Sequence, residues 1–427
     1  MPQPSRSQLI DKVWEYPLFE ALYGRRSRRF GRGFEMTEGP FQYKSGQTPV
    51  PLSEIEEALL VAAGVGFTGI ALWDQARPLP HPASNGRTFP STSGGRRIAL
   101  FFTNDKGIYV IHPAGGSASG VREIAGPEDR EKILDLYRNH RRELRAGRLD
   151  IPRRVPPLSG HNFWDSNMPG STLFMPVCDV SRSLISLISQ FVDGGLQRFA
   201  PQRHRGMNIV DDRRGLCPAG TGTWLKSGFL DQEAVMPLSV LERQACYFTF
   251  SDPAMICQNI FLATEALGIG GWMHCGFLSA EIFAALGFRT AMFSAPISLA
   301  NPIGLDGVFE ACCPPYYPSM DAAVDAVVAT LTRQQAELDN AAVPYLASPS
   351  EHREGTVEIT QEGIACTKAV CNYVYENYGR FPGTVDAMHL MWLMQAHHLD
   401  TDYYDRFFRA GAYGPTHAAH MAKWHPR

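Results

Sequence analysis

The chain has 427 residues, 44% of them hydrophobic and 19% charged, with a formal net charge of −3. These proportions suit a packed globular protein of one to three domains and exclude a disordered chain. The charge balance lacks the basic surplus of a nucleic-acid binder, and no run approaches the roughly 18 apolar residues of a membrane span.

The opening Met1-Pro2-Gln3-Pro4 carries no apolar leader, and the nine cysteines are scattered without a CxxC pair. Both features predict a cytoplasmic protein with reduced thiols. Residues 1–24 read as a helical lead-in. Ser53 followed by Glu56 is a capping box, and Ile55, Leu59 and Ala62 then recur on one face, predicting a helix over 50–66. Residues 67–90 are rich in Pro and Gly and read as a loop. The apolar runs 98–103 and 108–111 flank Asn104-Asp-Lys-Gly107, which predicts a β-hairpin. An amphipathic helix is expected over 128–147, stopped by Gly147, and an inserted subdomain or lid over 150–235. Further helices are expected over 253–267, stopped by Gly268, and over 319–338, capped by Ser319. Residues 345–355 read as a polar linker and 360–427 as short helices. The resulting division is a core in two parts, 1–112 and 245–344, an insertion or lid over 113–244, and a helical extension over 345–427.

Three segments carry candidate chemistry. Arg25-Arg26-Ser27-Arg28-Arg29 sets guanidiniums around a hydroxyl, a combination suited to phosphate because Arg is a planar, always-charged donor fork. Ser91-Thr92-Ser93-Gly94-Gly95-Arg96 brings hydroxyls and glycines together just before the hairpin, where backbone and side chains can wrap a polar ligand. A helix containing Gln258 and Asn259 ends in Gly268-Ile269-Gly270-Gly271 and runs on to His274-Cys275-Gly276. Glycine at such a turn lets a ligand approach the backbone. Taken singly, these segments also read as a solvated basic face, a surface turn and a helix C-cap.

Taken in order, the Arg-Arg-Ser-x-Arg start, the Pro-Leu-Ser-x-x-Glu helix, the Pro-Ser-x-x-Gly loop and the Gln-Asn…Gly-Ile-Gly helix resemble the nitroreductase-like flavin superfamily. Gly86-Arg-Thr-Phe-Pro-Ser91 is similar to the branch that includes azoline dehydrogenases of peptide natural-product pathways. The resemblance spans roughly 20–112 and 245–335. It implies an α+β fold, with a central, mostly antiparallel sheet flanked by helices, in a homodimer that holds FMN at the subunit interface. It places Arg25, Arg26, Ser27 and Arg29 on the FMN phosphate and ribityl chain, and Ser91, Thr92, Ser93 and Arg96 along the isoalloxazine. Gly270 belongs to the flavin-side turn, and flavin N5 is expected near Cys275 and Gly276. The implied reaction is ping-pong hydride transfer between NAD(P)H and a small organic substrate, with no separate catalytic residue assigned. Three departures stand out. No late Lys or Arg occurs in 312–321, which leaves either Arg28 or Arg289 to compensate or the phosphate less tightly held. Gly94 and Arg96 replace the usual Asn and Gln, and Cys275 replaces a frequent acid.

The inserted stretch also carries His161, Trp164 and a cluster from Arg203 to Arg214, read as a solvated loop or an anion site. The tail holds His389, His397, His398, His417, His420 and His425 among Asp and aromatic residues. It contains neither HExxH nor facial-triad spacing, so no metal ligand is assigned. Two alternatives stay open: a flavin-sequestering protein without turnover, and a metal-dependent enzyme using the tail histidines.

Overall fold

One antiparallel sheet with both faces covered by helices organises the chain. The computed structural model describes residues 6–70, 85–91, 95–113, 127–193, 205–293, 299–339 and 359–424. Across the sheet the strands run Gly270–His274, Leu393–His397, Thr172–Asp179, Ile98–Thr103, Gly107–Ile111 and Arg142–Ala146; Met388–Leu390 also pairs with Thr172–Asp179. Every pairing in it is antiparallel. The chain is therefore α+β, as expected.

The expected hairpin forms. Asn104 Oδ1 accepts from the backbone N–H groups of Lys106 and Gly107 at 2.9 and 3.2 Å, the local bond that makes Asn a turn residue. All positions of both hairpin strands are buried. Ile98, Leu100 and Phe102 enter one core, while Ala99 and Phe101 enter the other. Burial on both faces explains why these strands read as unbroken apolar runs.

One face is covered by the helix Glu54–Val65 and the C-terminal half of the helix Leu238–Leu267. The other is covered by Val180–Val192, Gln361–Tyr378, part of Met320–Asp339 and the N-terminal half of Leu238–Leu267. The capping box at Ser53 and Glu56 is present, Ser319 Oγ accepts from Ala322 N at 3.2 Å, and Gly268 caps its helix at φ 80°.

The expected helix over 253–267 begins earlier, at Leu238, and Pro253 lies inside it. An interior proline costs about 3 kcal/mol. Burial of the apolar side chains of Cys246, Ile256, Cys257 and Ile260 around it offsets that cost. The stretch expected as a lid supplies the strand Thr172–Asp179, flanked on both sides within the sheet and buried at all eight positions. Its Pro-, Gly- and Arg-rich surroundings concealed an apolar run. The expected helix over 128–147 is broken into Pro127–Arg130 and Ile133–His140, and Arg142–Ala146 forms the outer strand. Its charged residues suit an exposed sheet edge. The C-terminal extension is not wholly helical: Met388–Leu390 and Leu393–His397 are strands. All four sequence segments thus contribute strands to one sheet. The 345–355 linker lies outside the described residues. No described helix is long and apolar enough to cross a membrane.

Candidate functional site

Two remote segments of the sequence meet at the outer strand Gly270–His274. Arg29 lies with its guanidinium 4.1 Å from the ring centre of Trp272 and 5.3 Å from that of Trp164. Its Nε donates to Asp165 Oδ2 at 2.5 Å and its second terminal nitrogen to Asn162 Oδ1 at 2.9 Å. Stacking and a directed fork together hold an arginine in one orientation. Asp165 is fully buried, and burial pushes its carboxyl up to about 6 even beside Arg29. Its Oδ1 has no hydrogen-bond partner among the described residues, and neither does the buried indole N–H of Trp272.

His274 stacks on Trp272 with ring centres 4.1 Å apart and planes 15° from parallel. Its Nδ1 lies 3.4 Å from Asn162 Nδ2 and its Nε2 lies 3.5 Å from Ser166 Oγ. Burial, reinforced by Arg29 and His161, depresses its pKa to about 3. At neutral pH this imidazole is an uncharged hydrogen-bonding group. Cys275, the next residue, is exposed. A Cβ at Gly276 would come within 2.7 Å of Asn162 Nδ2, so glycine suits the close passage of the chain beyond the strand past the 160–162 turn.

The opening basic motif divides. Arg25, Arg26 and Ser27 are exposed. Arg28 turns inward to a buried ion pair with Glu265 at 2.6 Å, and Arg29 turns to Asp165. Arg28 is therefore engaged rather than poised as a substitute phosphate cation, and Arg289 lies 3.8 Å from Asp306. Gly270, expected to admit a ligand, is closely packed on the side where a side chain would stand. A Cβ there would stand 2.4 Å from Leu399 and 2.8 Å from His397 Nε2. Ser91 donates to Asp252 Oδ2 at 2.6 Å and accepts from Gly95 N at 3.1 Å. Asp252 is pushed up to about 6 by burial. Arg96 is half-buried in the turn entering the hairpin, and Thr92 and Ser93 lie outside the described residues. In the former lid, Arg213 pairs with Glu242 at 3.1 Å, which favours an internal role over anion capture.

No family model matches the chain, and no curated protein matches it. Among solved structures it resembles a candidate nitroreductase from Ralstonia eutropha JMP134, with 17% identity over 68% of this chain and 81% of that one. The TM-score is 0.27. So distant a likeness decides neither fold nor activity.

Sequence reasoning missed Asn162, Asp165 and Ser166, although it singled out the neighbouring His161 and Trp164. Their signal is the dense polar and aromatic string His161-Asn-Phe-Trp-Asp-Ser166. A separate apolar cavity of about 430 Å³ lies between the helices Glu54–Val65 and Ile133–His140. Arg87, His112 and His140 are its basic lining residues.

Proposed function

We propose that the protein is a flavin-dependent oxidoreductase, with FMN held beside the Arg29–Trp272–His274 cluster. The observation that carries this reading is the convergence of 25–29 with 270–276, the two segments whose chemistry suits the phosphate end and the reactive end of that cofactor. The residues fit the group in three respects. Exposed Arg25, Arg26 and Ser27 directly precede the anchored Arg29 and offer charge and hydroxyl to a phosphate. Trp272 provides a buried N–H without a partner among the described residues, and Asp165 provides a carboxylate oxygen in the same condition. Cys275 and Gly276 bring backbone to the surface next to His274.

When bound, the flavin supplies the hydride chemistry. Arg25 and Arg26 neutralise the phosphate, Arg29 and Asp165 hold the indole wall in place, and His274 stays uncharged and orients by hydrogen bonding. The proposal includes NADH or NADPH as electron donor and a small organic molecule as substrate.

A homodimer belongs to the same proposal. Leu18, Phe19, Leu22 and Tyr23 are 62%, 69%, 41% and 78% exposed on the short helix that leads into Arg25. Exposed apolar side chains in contiguous positions mark an association surface. A second copy seated there would enclose 25–27.

The test is the absorbance spectrum of the purified protein before and after anaerobic NADH or NADPH. A flavin spectrum that bleaches is expected. A spectrum that persists favours the sequestering alternative. A colourless protein that takes up no added FMN overturns the flavin reading.

A further inference from the structure

Away from this cluster, three buried side chains converge from opposite ends of the chain. Glu56 is the third residue of the helix Glu54–Val65, His398 follows the strand Leu393–His397, and His420 lies on the helix Pro415–Met421. Their side chains are 3%, 1% and 1% exposed. His398 Nε2 stands 3.2 Å from Glu56 Oε1, and His420 Nε2 stands 2.7 Å from the same oxygen. One candidate ligand atom from each residue lies within 4.8 Å of the others.

The hydrogen bonds around the triad leave both Nε2–Oε1 contacts in need of explanation. Glu56 Oε2 is occupied, accepting from Ser53 N at 2.6 Å and from Ser53 Oγ at 2.7 Å. His398 Nδ1 faces the carbonyl oxygen of Val50 at 2.9 Å, so that nitrogen carries a hydrogen. In the neutral imidazole Nε2 then turns a lone pair towards Glu56 Oε1, and two acceptors face each other. His420 Nε2 is 2.7 Å from that oxygen, near enough for charge attraction, but it is out of line for a hydrogen bond and has no hydrogen-bond partner among the described residues. A proton on His398 would answer the first problem and leave the second. An ion bound by both Nε2 atoms and by Oε1 answers both.

We propose that Glu56, His398 and His420 form a site for one divalent transition-metal ion, zinc foremost, which fastens the C-terminal helix to the capped start of the helix Glu54–Val65. Two imidazoles and a carboxylate are a zinc-type donor set, with the fourth position left to water. Zinc bonds of roughly 2.0–2.2 Å in a tetrahedron separate ligand atoms by about 3.3 Å. The 3.2 Å spacing matches, the 2.7 Å spacing opens by about half an ångström, and the two imidazole nitrogens, which lie within 4.8 Å of one another, settle at the same separation when the ion binds. The outer contacts are those of a metal centre: a backbone carbonyl fixes the tautomer of His398, and the Ser53 bonds fix the carboxylate. Lys423 Nζ lies 3.5 Å from His420 Nδ1, a long contact that its partly exposed side chain relinquishes when that nitrogen carries a hydrogen. The site does not depend on the flavin reading.

The experiment uses the full, untagged chain. Metal is removed with a chelator, and the protein is titrated with Zn2+ and separately with Co2+. The expected result is one ion per chain and a four-coordinate cobalt spectrum without thiolate charge-transfer bands. In His420→Ala, affinity should fall at least about 100-fold, the upper end of what losing an outer-shell partner alone costs. Failure of the folded wild-type chain to take up either ion overturns the proposal, as does equal uptake by a folded His420→Ala. A cobalt spectrum dominated by thiolate overturns it too, since no cysteine belongs to the triad. Should His420→Ala not fold, Glu56→Gln read by cobalt spectrum, together with the wild-type spectrum, decides the matter: the triad requires the variant's bands to shift or vanish, and unchanged bands overturn it.

Discussion

Arg29 and Asp165 close an ion pair across 136 positions of sequence, with Nε 2.5 Å from Oδ2 and the carboxylate fully buried. That pair fixes the guanidinium against Trp272 and sets the shape of the proposed flavin site. Arg29→Ala should strand Asp165 as an unpaired buried acid and destabilise the fold by about 3 kcal/mol, the lower end for a buried pair because Arg29 is itself about a third exposed. The Arg29→Ala/Asp165→Ala double variant should lose less than the sum of the single changes. Urea denaturation of the four proteins measures both quantities, and strict additivity would show that the pair is not coupled.

Arg25 and Arg26 are exposed, so their removal should leave stability almost unchanged. Arg25→Ala/Arg26→Ala should nevertheless weaken FMN binding, since each lost charged hydrogen bond costs about 1.5–3 kcal/mol. Fluorescence titration with FMN provides the measurement. Undiminished affinity would remove the phosphate role from these two residues.

His274 predicts an acid-side loss of stability. Its folded pKa is about 3 against an ordinary 6.5. The unfolded chain therefore gains a proton at this residue as pH falls below 6.5, and the folded chain does not. Stability is complete above 6.5 and declines through the window down to about 3. Between pH 7 and pH 5 the His274 contribution should be about 2 kcal/mol. Comparing His274→Gln with the parent chain isolates it: the gap between them should move by that amount in the variant's favour at pH 5. A gap that is constant with pH would mean that His274 titrates normally.

Gly270 can be tested for packing against ligand contact. Gly270→Ala should drive a methyl into Leu399 and His397 and cost about 1–3 kcal/mol, as overpacking does. Thermal unfolding detects the loss. A variant with full stability and lowered FMN affinity would support the ligand-facing assignment.

What could be read from the sequence alone was local. The Ser53–Glu56 capping box, the turn at Asn104 and the Gly268 cap are each made by residues within a few positions of one another, and all three stand in the structure as read. Side-chain bonds over three or four residues follow from the order of the residues, because the backbone itself brings such groups together. The partners chosen at long range were decided only by the tertiary structure. Thr172–Asp179 and Leu393–His397 are strands because neighbours on both sides satisfy their backbone groups, and those neighbours come from distant segments. Glu56 shows both levels in one side chain. One carboxylate oxygen caps its own helix, as the sequence announced, while the other meets His398 from 342 positions away. No spacing rule could pair those two residues, because the sheet that joins their segments is itself assembled from pieces of the whole chain.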